Sequence, residues 1–175
     1  MKRKRSSSNI TPPLRGIPRP GYFPAAFEHM LGPLPIPSAS QELKHVFPHN
    51  IAFRTADWAS HPILEDGEGY DVVVAFSITK WIHLNGGDDS IRGFFRRIHE
   101  VLKPQGHLIL EPQAWNTYAK AKRMDEHLKQ IYQSLSLRPE HFESILEEMG
   151  FEPPQHLGTT GDGGFQRPVD LYKKL

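Results

Sequence analysis

The run Asp71-Val72-Val73-Val74-Ala75-Phe76 limits most what this chain can fold into. Its apolar residues do not alternate with polar ones, so it reads as a strand that is apolar on both faces, buried between helix layers in a parallel sheet. Asp88 and Asp89 are suitable helix starters, and Ile91, Phe94, Phe95, Ile98, Val101 and Leu102 then recur at the spacing of one helix face. Lys103-Pro104-Gln105-Gly106 stops that helix, because Pro disfavours the helical region in its predecessor and Gly accepts a turn. His107 to Leu110 reads as the next strand. Strand, helix and strand make a parallel crossover, which places ligands at the carboxyl ends of the strands. Those ends carry Phe76-Ser77 and Glu111-Pro112-Gln113. The fold class is α/β.

Further elements are expected around this unit. Ile51 and Phe53 alternate with Ala52 and Arg54, predicting a short strand that ends at Asp57. One helix is predicted over 116–135. A second opens at Pro139, carries Phe142, Ile145, Leu146 and Met149 on one face, and ends before Gly150. After the Gly161 to Gly164 loop, Val169 and Leu171 alternate with Asp170 and Tyr172, predicting an antiparallel edge strand. Nine of the 16 prolines lie in residues 1–50, where missing N–H donors disfavour regular structure. Residues 1–21 read as a disordered basic, Ser- and Pro-rich tail, 22–50 as a Pro-rich irregular insertion, and 51–175 as the ordered portion.

Composition excludes some chemistry. With no cysteine there are no disulfides, thiolate metal sites or cysteine nucleophiles. No apolar run approaches the roughly 20 residues of a membrane span, and Lys2 to Arg5 are followed by no apolar stretch, so the chain is expected to be intracellular and not membrane-bound. The Lys2 to Arg5 cluster reads either as a nuclear-localisation or nucleic-acid patch or as a solvated tail, and the nucleus is somewhat favoured over the cytoplasm. His45 and His49 have metal-ligand spacing only on a helix, which Pro48 opposes, so no metal is expected. A net charge of +1 leaves any polyanion partner to local clusters. One such cluster is Lys120, Lys122 and Arg123, which suits either a phosphate track or a solvated helix face.

Four segments, Tyr22-Phe23-Pro24-Ala25 ahead of Gly32-Pro33, Ser77-Ile78-Thr79-Lys80-Trp81-Ile82-His83-Leu84-Asn85, Glu111-Pro112-Gln113-Ala114-Trp115 and Gly164-Phe165-Gln166-Arg167-Pro168, resemble the family of Bicoid-interacting protein 3 and the methylphosphate capping enzyme. The resemblance covers roughly residues 22–175. It implies a Rossmann-like class I methyltransferase sheet, S-adenosyl-L-methionine as cofactor, and methyl transfer to the 5′ terminal phosphate of a small non-coding RNA. The family's first two strands and Gly-rich turn find no match, so 51–175 is expected to be the C-terminal portion of the domain. In the family's strand order 3-2-1-4-5-7-6, a gap of roughly 10 Å would then separate the strand ending at Asp57 from the strand ending at Phe76.

The resemblance makes Lys80 a phosphate-holding cation at the reaction centre and His83 a second phosphate or hydroxyl contact; each also reads as an ordinary helix residue. It sets Asp57 and Trp58 against the cofactor's adenine and Phe76 against its amino-acid end. Glu111 and Gln113, at a strand's carboxyl end, meet either substrate or the neighbouring loop. Arg167 and Phe165 could pair a phosphate and stack a base, as Arg and aromatic residues do in single-stranded RNA sites, or close a turn. Two other readings stand beside the enzyme: a non-catalytic RNA-binding remnant, and a truncated chain.

Overall fold

The computed structural model describes residues 50–51, 53–162 and 166–175. The readings placed on Lys2 to Arg5, on the segments from Tyr22 to Pro33, on His45 and His49, and on Phe165 lie outside the described residues. Contacts divide the chain into two units, Met1–Thr55 and Ala56–Leu175. Among the described residues, every helix and strand lies in the second unit.

Strand β1 (Tyr70–Phe76) is followed by helix α1 (Thr79–Val101) and strand β2 (Leu102–Glu111). Strands β1 and β2 pair in parallel, with Val72 to Phe76 in unbroken register against His107 to Glu111. Between the Tyr70–Leu102 and Val72–His107 pairs the register shifts, and Lys103 to Gly106 bulge out with Gln105 at φ 64°. The predicted helix stop is therefore a turn folded into the start of β2.

Helix α1 begins nine residues before Asp88 and is broken at Gly87, whose φ of 75° and ψ of −169° are open to glycine. Its second segment is the helix read from the apolar spacing. Ile91, Phe94, Phe95 and Ile98 are buried against Ala75, Leu108 and Leu110 of the sheet.

The predicted 116–135 helix is two helices, α2 (Tyr118–Ala121) and α3 (Glu126–Ser134), separated at Asp125. Asp125 has extended backbone, and its side chain accepts from the His127 N–H. An Asp that caps a new helix start cannot also lie inside a continuous one. Helix α4 (Phe142–Glu148) follows a 3₁₀ turn at Pro139–His141, and its Phe142, Ile145 and Leu146 join the same core as α1, as the spacing predicts.

Strands β3 (Gln155–Thr160) and β4 (Arg167–Lys173) complete a sheet of order β1-β2-β4-β3. Both β4 pairings are antiparallel. The predicted last strand is thus antiparallel but interior, and β3, which sequence reading missed, forms the edge. Within β3, Leu157 is the one large apolar residue and Gly158 follows it, so the segment shows no apolar strand pattern.

Two expectations fail for one physical reason. Residues 51 and 53–57 form no strand. Strand β1, read as covered on both faces, exposes about half of Val72, Val74 and Phe76. The order β1-β2-β4-β3 corresponds to 4-5-7-6 of the expected order, so a strand at position 3 has no neighbour to pair with among the described residues. Helices cover the face of this half-sheet where Ala75, Leu108 and Leu110 lie, and on the other face, among the described residues, the side chains of β1 are exposed.

Leu110→Ala, on the covered face, is expected to cost about 2–5 kcal/mol, and Val74→Ala, on the open face, under about 1 kcal/mol. Urea unfolding followed by circular dichroism measures both; equal costs would mean that both faces are packed.

Candidate nucleotide site at the carboxyl ends of the parallel strands

Because β4 runs antiparallel, it starts where β1 and β2 end, and this brings three distant segments together. Ser77, held at φ 56° just past β1, donates to Glu111 Oε1 at 2.8 Å. The Arg167 guanidinium donates to the same carboxylate oxygen at 2.8 Å and also to the Ser77 hydroxyl. Gln113 forms a second tie. Its side-chain carbonyl accepts from the Thr79 hydroxyl at 2.9 Å and from the Lys80 N–H at 3.0 Å. Thr79 and Gln113 are buried, so losing either would strand a polar partner. The first turn of α1, and Lys80 with it, is thereby fixed to the end of β2.

Lys80 lines an open groove of about 520 Å³ between the start of α1 and the segment formed by a 3₁₀ turn at Trp115–Thr117 and helix α2, together with Trp81, Asn116, Thr117, Lys120, Ala121 and Met124. Burial first, then the charges of Arg167 and Lys120, holds the Lys80 ammonium below the usual lysine range. Lys80 thus feels both other cations, and Glu111 pairs with Arg167.

A second groove of about 500 Å³ is lined by Asp57, Ala59, Ser60, Ile82 and Gly86 among others, and Trp81 is a wall of both grooves. Its lining is mixed, with Asp57, Ser60, Asn85 and Ser90 beside Ala59, Trp81 and Ile82, a set that could accept from the hydroxyls of the adenosine part of S-adenosyl-L-methionine and take its base against the apolar residues. Phe76 ends β1 with its ring on the open face.

Other predicted site residues are used inside the fold. The His83 ring is fully buried. Its Nε2 lies 2.8 Å from Asp88 Oδ1 and its Nδ1 lies 3.3 Å from the Tyr118 hydroxyl. Burial, outweighing Asp88, pushes its pKa down. The neutral ring then donates from Nε2 to Asp88 and accepts from Tyr118 at Nδ1, a tautomer assigned from the partners. Burial raises the Asp88 carboxyl, but the donors His83, Ser136 N–H and Leu137 N–H outweigh it and hold the group below the usual carboxylate range. His83 therefore ties α1 to α2 and to the loop after α3, and presents no nitrogen to a substrate.

Trp58 donates to Asp66 Oδ1 at 2.9 Å, meets Phe94 edge-on and lies under Arg97. It is committed to the core while its neighbour Asp57 remains in the second groove. Lys122 sits 3.8 Å above the Tyr132 ring, away from the residues lining the first groove, and Arg123 is exposed on the turn after α2. The structure thus brings Lys80, Lys120, Glu111, Gln113 and Arg167 together and leaves Trp58, His83, Lys122 and Arg123 apart. Sequence reading missed Trp81, Asn116 and Met124 as groove residues. Trp81 could have been found, since it is next to Lys80 in the quoted motif; Met124 carries no signal.

The carboxyl ends of parallel strands in an α/β sheet are where such folds generally bind ligands, and here they carry Lys80, Glu111 and Arg167. A family model described as Bicoid-interacting protein 3 (Bin3) matches residues 70–174, and the chain belongs to this family. It is 40% identical over 161 residues to the 7SK snRNA methylphosphate capping enzyme of Mus musculus, covering 87% of this chain and 24% of that protein. It is 38% identical over 109 residues to the U6 snRNA methylphosphate capping enzyme Amus of Drosophila melanogaster, covering 60% of this chain and 36% of that one. With the RNA 5′-monophosphate methyltransferase of Rattus norvegicus it shares 32% identity over 109 residues, 59% of this chain and 37% of the relative. The chain matches less than two fifths of the length of each of these relatives.

The buried histidine sets a pH dependence. A folded-state pKa below the usual value of about 6.5 means that the stabilisation is complete above that pH and is lost as pH falls through the folded value. Asp88 adds a loss of the same sign at lower pH. His99 is also held low, while His156 is held high by Asp170. These residues remain in both proteins, so comparing wild type with His83→Gln isolates His83. In thermal melts from pH 8 to pH 5, the melting temperature of the wild type should fall more steeply than that of the variant; parallel curves would refute a buried neutral His83.

Proposed function

We propose that this chain supplies the RNA-phosphate side of an S-adenosyl-L-methionine-dependent methyltransferase acting on the 5′ terminal phosphate of a small RNA. The observation that carries this reading is the convergence of Lys80, Lys120 and Arg167 beside a groove at the carboxyl ends of β1 and β2, in a chain whose relatives bear the names of RNA methyltransferases.

A terminal phosphate is already anionic near pH 7, since its second pKa is about 6, so no general base is required. S-adenosyl-L-methionine, when bound, supplies the methyl group. The chain's part is placement. Lys80, on a backbone held by Gln113, and Arg167, held by Glu111 and Ser77, fix the phosphate through charge-assisted hydrogen bonds. Lys120 extends the positive rim toward the next phosphate. Asp57 in the adjoining groove would hold the cofactor's adenosine, with Phe76 toward its amino-acid end. Precise alignment of this kind can supply about 7–11 kcal/mol of barrier reduction. RNA as partner favours the nucleus as the place of action.

A second reading, an RNA-binding module without methyl transfer, draws on the open face of β1, where Val72, Val74 and Phe76 lie uncovered beside the cofactor end of the site. Both readings predict RNA binding, and only the first predicts binding of S-adenosyl-L-methionine that Asp57→Ala abolishes.

In fluorescence-anisotropy titrations, a short RNA with a 5′ phosphate should bind more tightly than its 5′-hydroxyl counterpart. Lys80→Ala should reduce that preference about tenfold, the value of one charge-assisted hydrogen bond, and lower the salt slope by about one. Equal binding of both RNAs to the wild type would overturn the proposal.

A further inference from the structure

The cationic groove is not a phosphate cradle alone. Its apolar lining is Trp81, Ala121 and Met124, and beside them stand the exposed amide of Asn116 and the ammonium groups of Lys80 and Lys120. Bare phosphate recognition needs donors and no apolar lining. An apolar lining with cations beside it matches a whole nucleotide, base on the apolar residues and phosphate at the cations.

The three tryptophans differ in what occupies them. Trp58 is held by Asp66, Phe94 and Arg97. Trp115 is stacked on Tyr132 at 4.8 Å and covered by Arg138 at 3.8 Å. Trp81 is 38% exposed, lines the groove, and has the Lys80 ammonium 4.9 Å from its ring centroid. Its carbonyl accepts from the Asn85 side chain at 2.7 Å, which steadies the turn that carries it.

From this arrangement we infer that the groove between α1 and α2 takes the first unpaired nucleobase of the RNA, stacked on Trp81, with the Asn116 amide facing the base edge. The inference rests on the proposed RNA-phosphate reading and adds a base-binding subsite to it. Because Trp81 also walls the Asp57 groove, a base stacked there sets the terminal nucleotide beside the cofactor groove, so Trp81 is a positioning residue as well as a binding one. A stacked aromatic tolerates every base, so the preference expected is for the presence of a base rather than for its identity.

The test uses the full 1–175 chain and two four-nucleotide RNAs, both 5′-phosphorylated, one with an abasic first nucleotide. Wild type should bind the base-bearing RNA about tenfold more tightly than the abasic one, the usual worth of one base on an aromatic side chain. Trp81→Ala should bind both alike, at the affinity of the abasic RNA, whereas Trp81→Phe should keep most of the preference. Circular dichroism confirms that each variant folds. Equal binding of the two RNAs by wild type, or an undiminished preference in Trp81→Ala, would overturn the stacking subsite. A 5′-hydroxyl RNA run alongside separates the two ideas: it weakens binding if the phosphate reading holds, whichever way the base comparison falls. Failure of wild type to bind any of the RNAs would overturn both.

Discussion

The parallel register of β1 against β2 is the constraint on which the rest of the structure depends. Two parallel strands cannot be joined by a tight turn, so the chain must cross over, and α1 is the crossover. Once Val72 to Phe76 lie beside His107 to Glu111, both strands end at the same level, and the segments leaving them must meet there. Ser77 and Lys80 leave one, Glu111 and Gln113 the other. The antiparallel β4 then has its first residue, Arg167, at that level too. A site assembled from three segments is a consequence of strand direction, and its hydrogen bonds lock in what the topology has already brought close.

Much of this framework was legible in the residues. The apolar spacing of Ile91, Phe94, Phe95 and Ile98 is a helix signal that no local alternative satisfies, and Pro104 with Gly106 marks its end. Phe142, Ile145 and Leu146 were equally clear. Illegible features were those decided by neighbours. The valines of β1 have the same composition whether covered or bare, and only the sheet order shows that Val72 and Val74 lie on an open face. Ile51 to Asp57 has strand alternation, but alternation without a partner strand yields no strand. Asp125 looks like any polar helix residue until its side chain caps α3. β3 lacks an apolar pattern because β4 and its backbone bonds, rather than its own side chains, hold it.

The site divided along a similar line. Lys80, Glu111 and Arg167 lie together because the strand ends that carry them meet at one level, a proximity that the topology guarantees. A motif gives a residue's position along the chain and not the partners of its side chain: Asp88 with Tyr118 engages both nitrogens of His83, and Asp66 holds Trp58. Gln113 shows the same economy: a polar side chain at a strand end, read as meeting either substrate or the neighbouring loop, is buried and braces the Lys80 backbone. Its contribution to any ligand contact passes through Lys80.

Electrostatics explains why these supporting bonds matter. Burial first, and then the charges of Arg167 and Lys120, disfavour the charged form of Lys80. Left to flexible side chains, such repulsion would spread the charges apart. Here Glu111 pins Arg167, and Gln113 pins the backbone of Lys80, so the positive field persists before any ligand arrives. A phosphate entering it meets cations already in place and pays little to organise them, which is the condition under which fixed charges hold a reacting group most effectively.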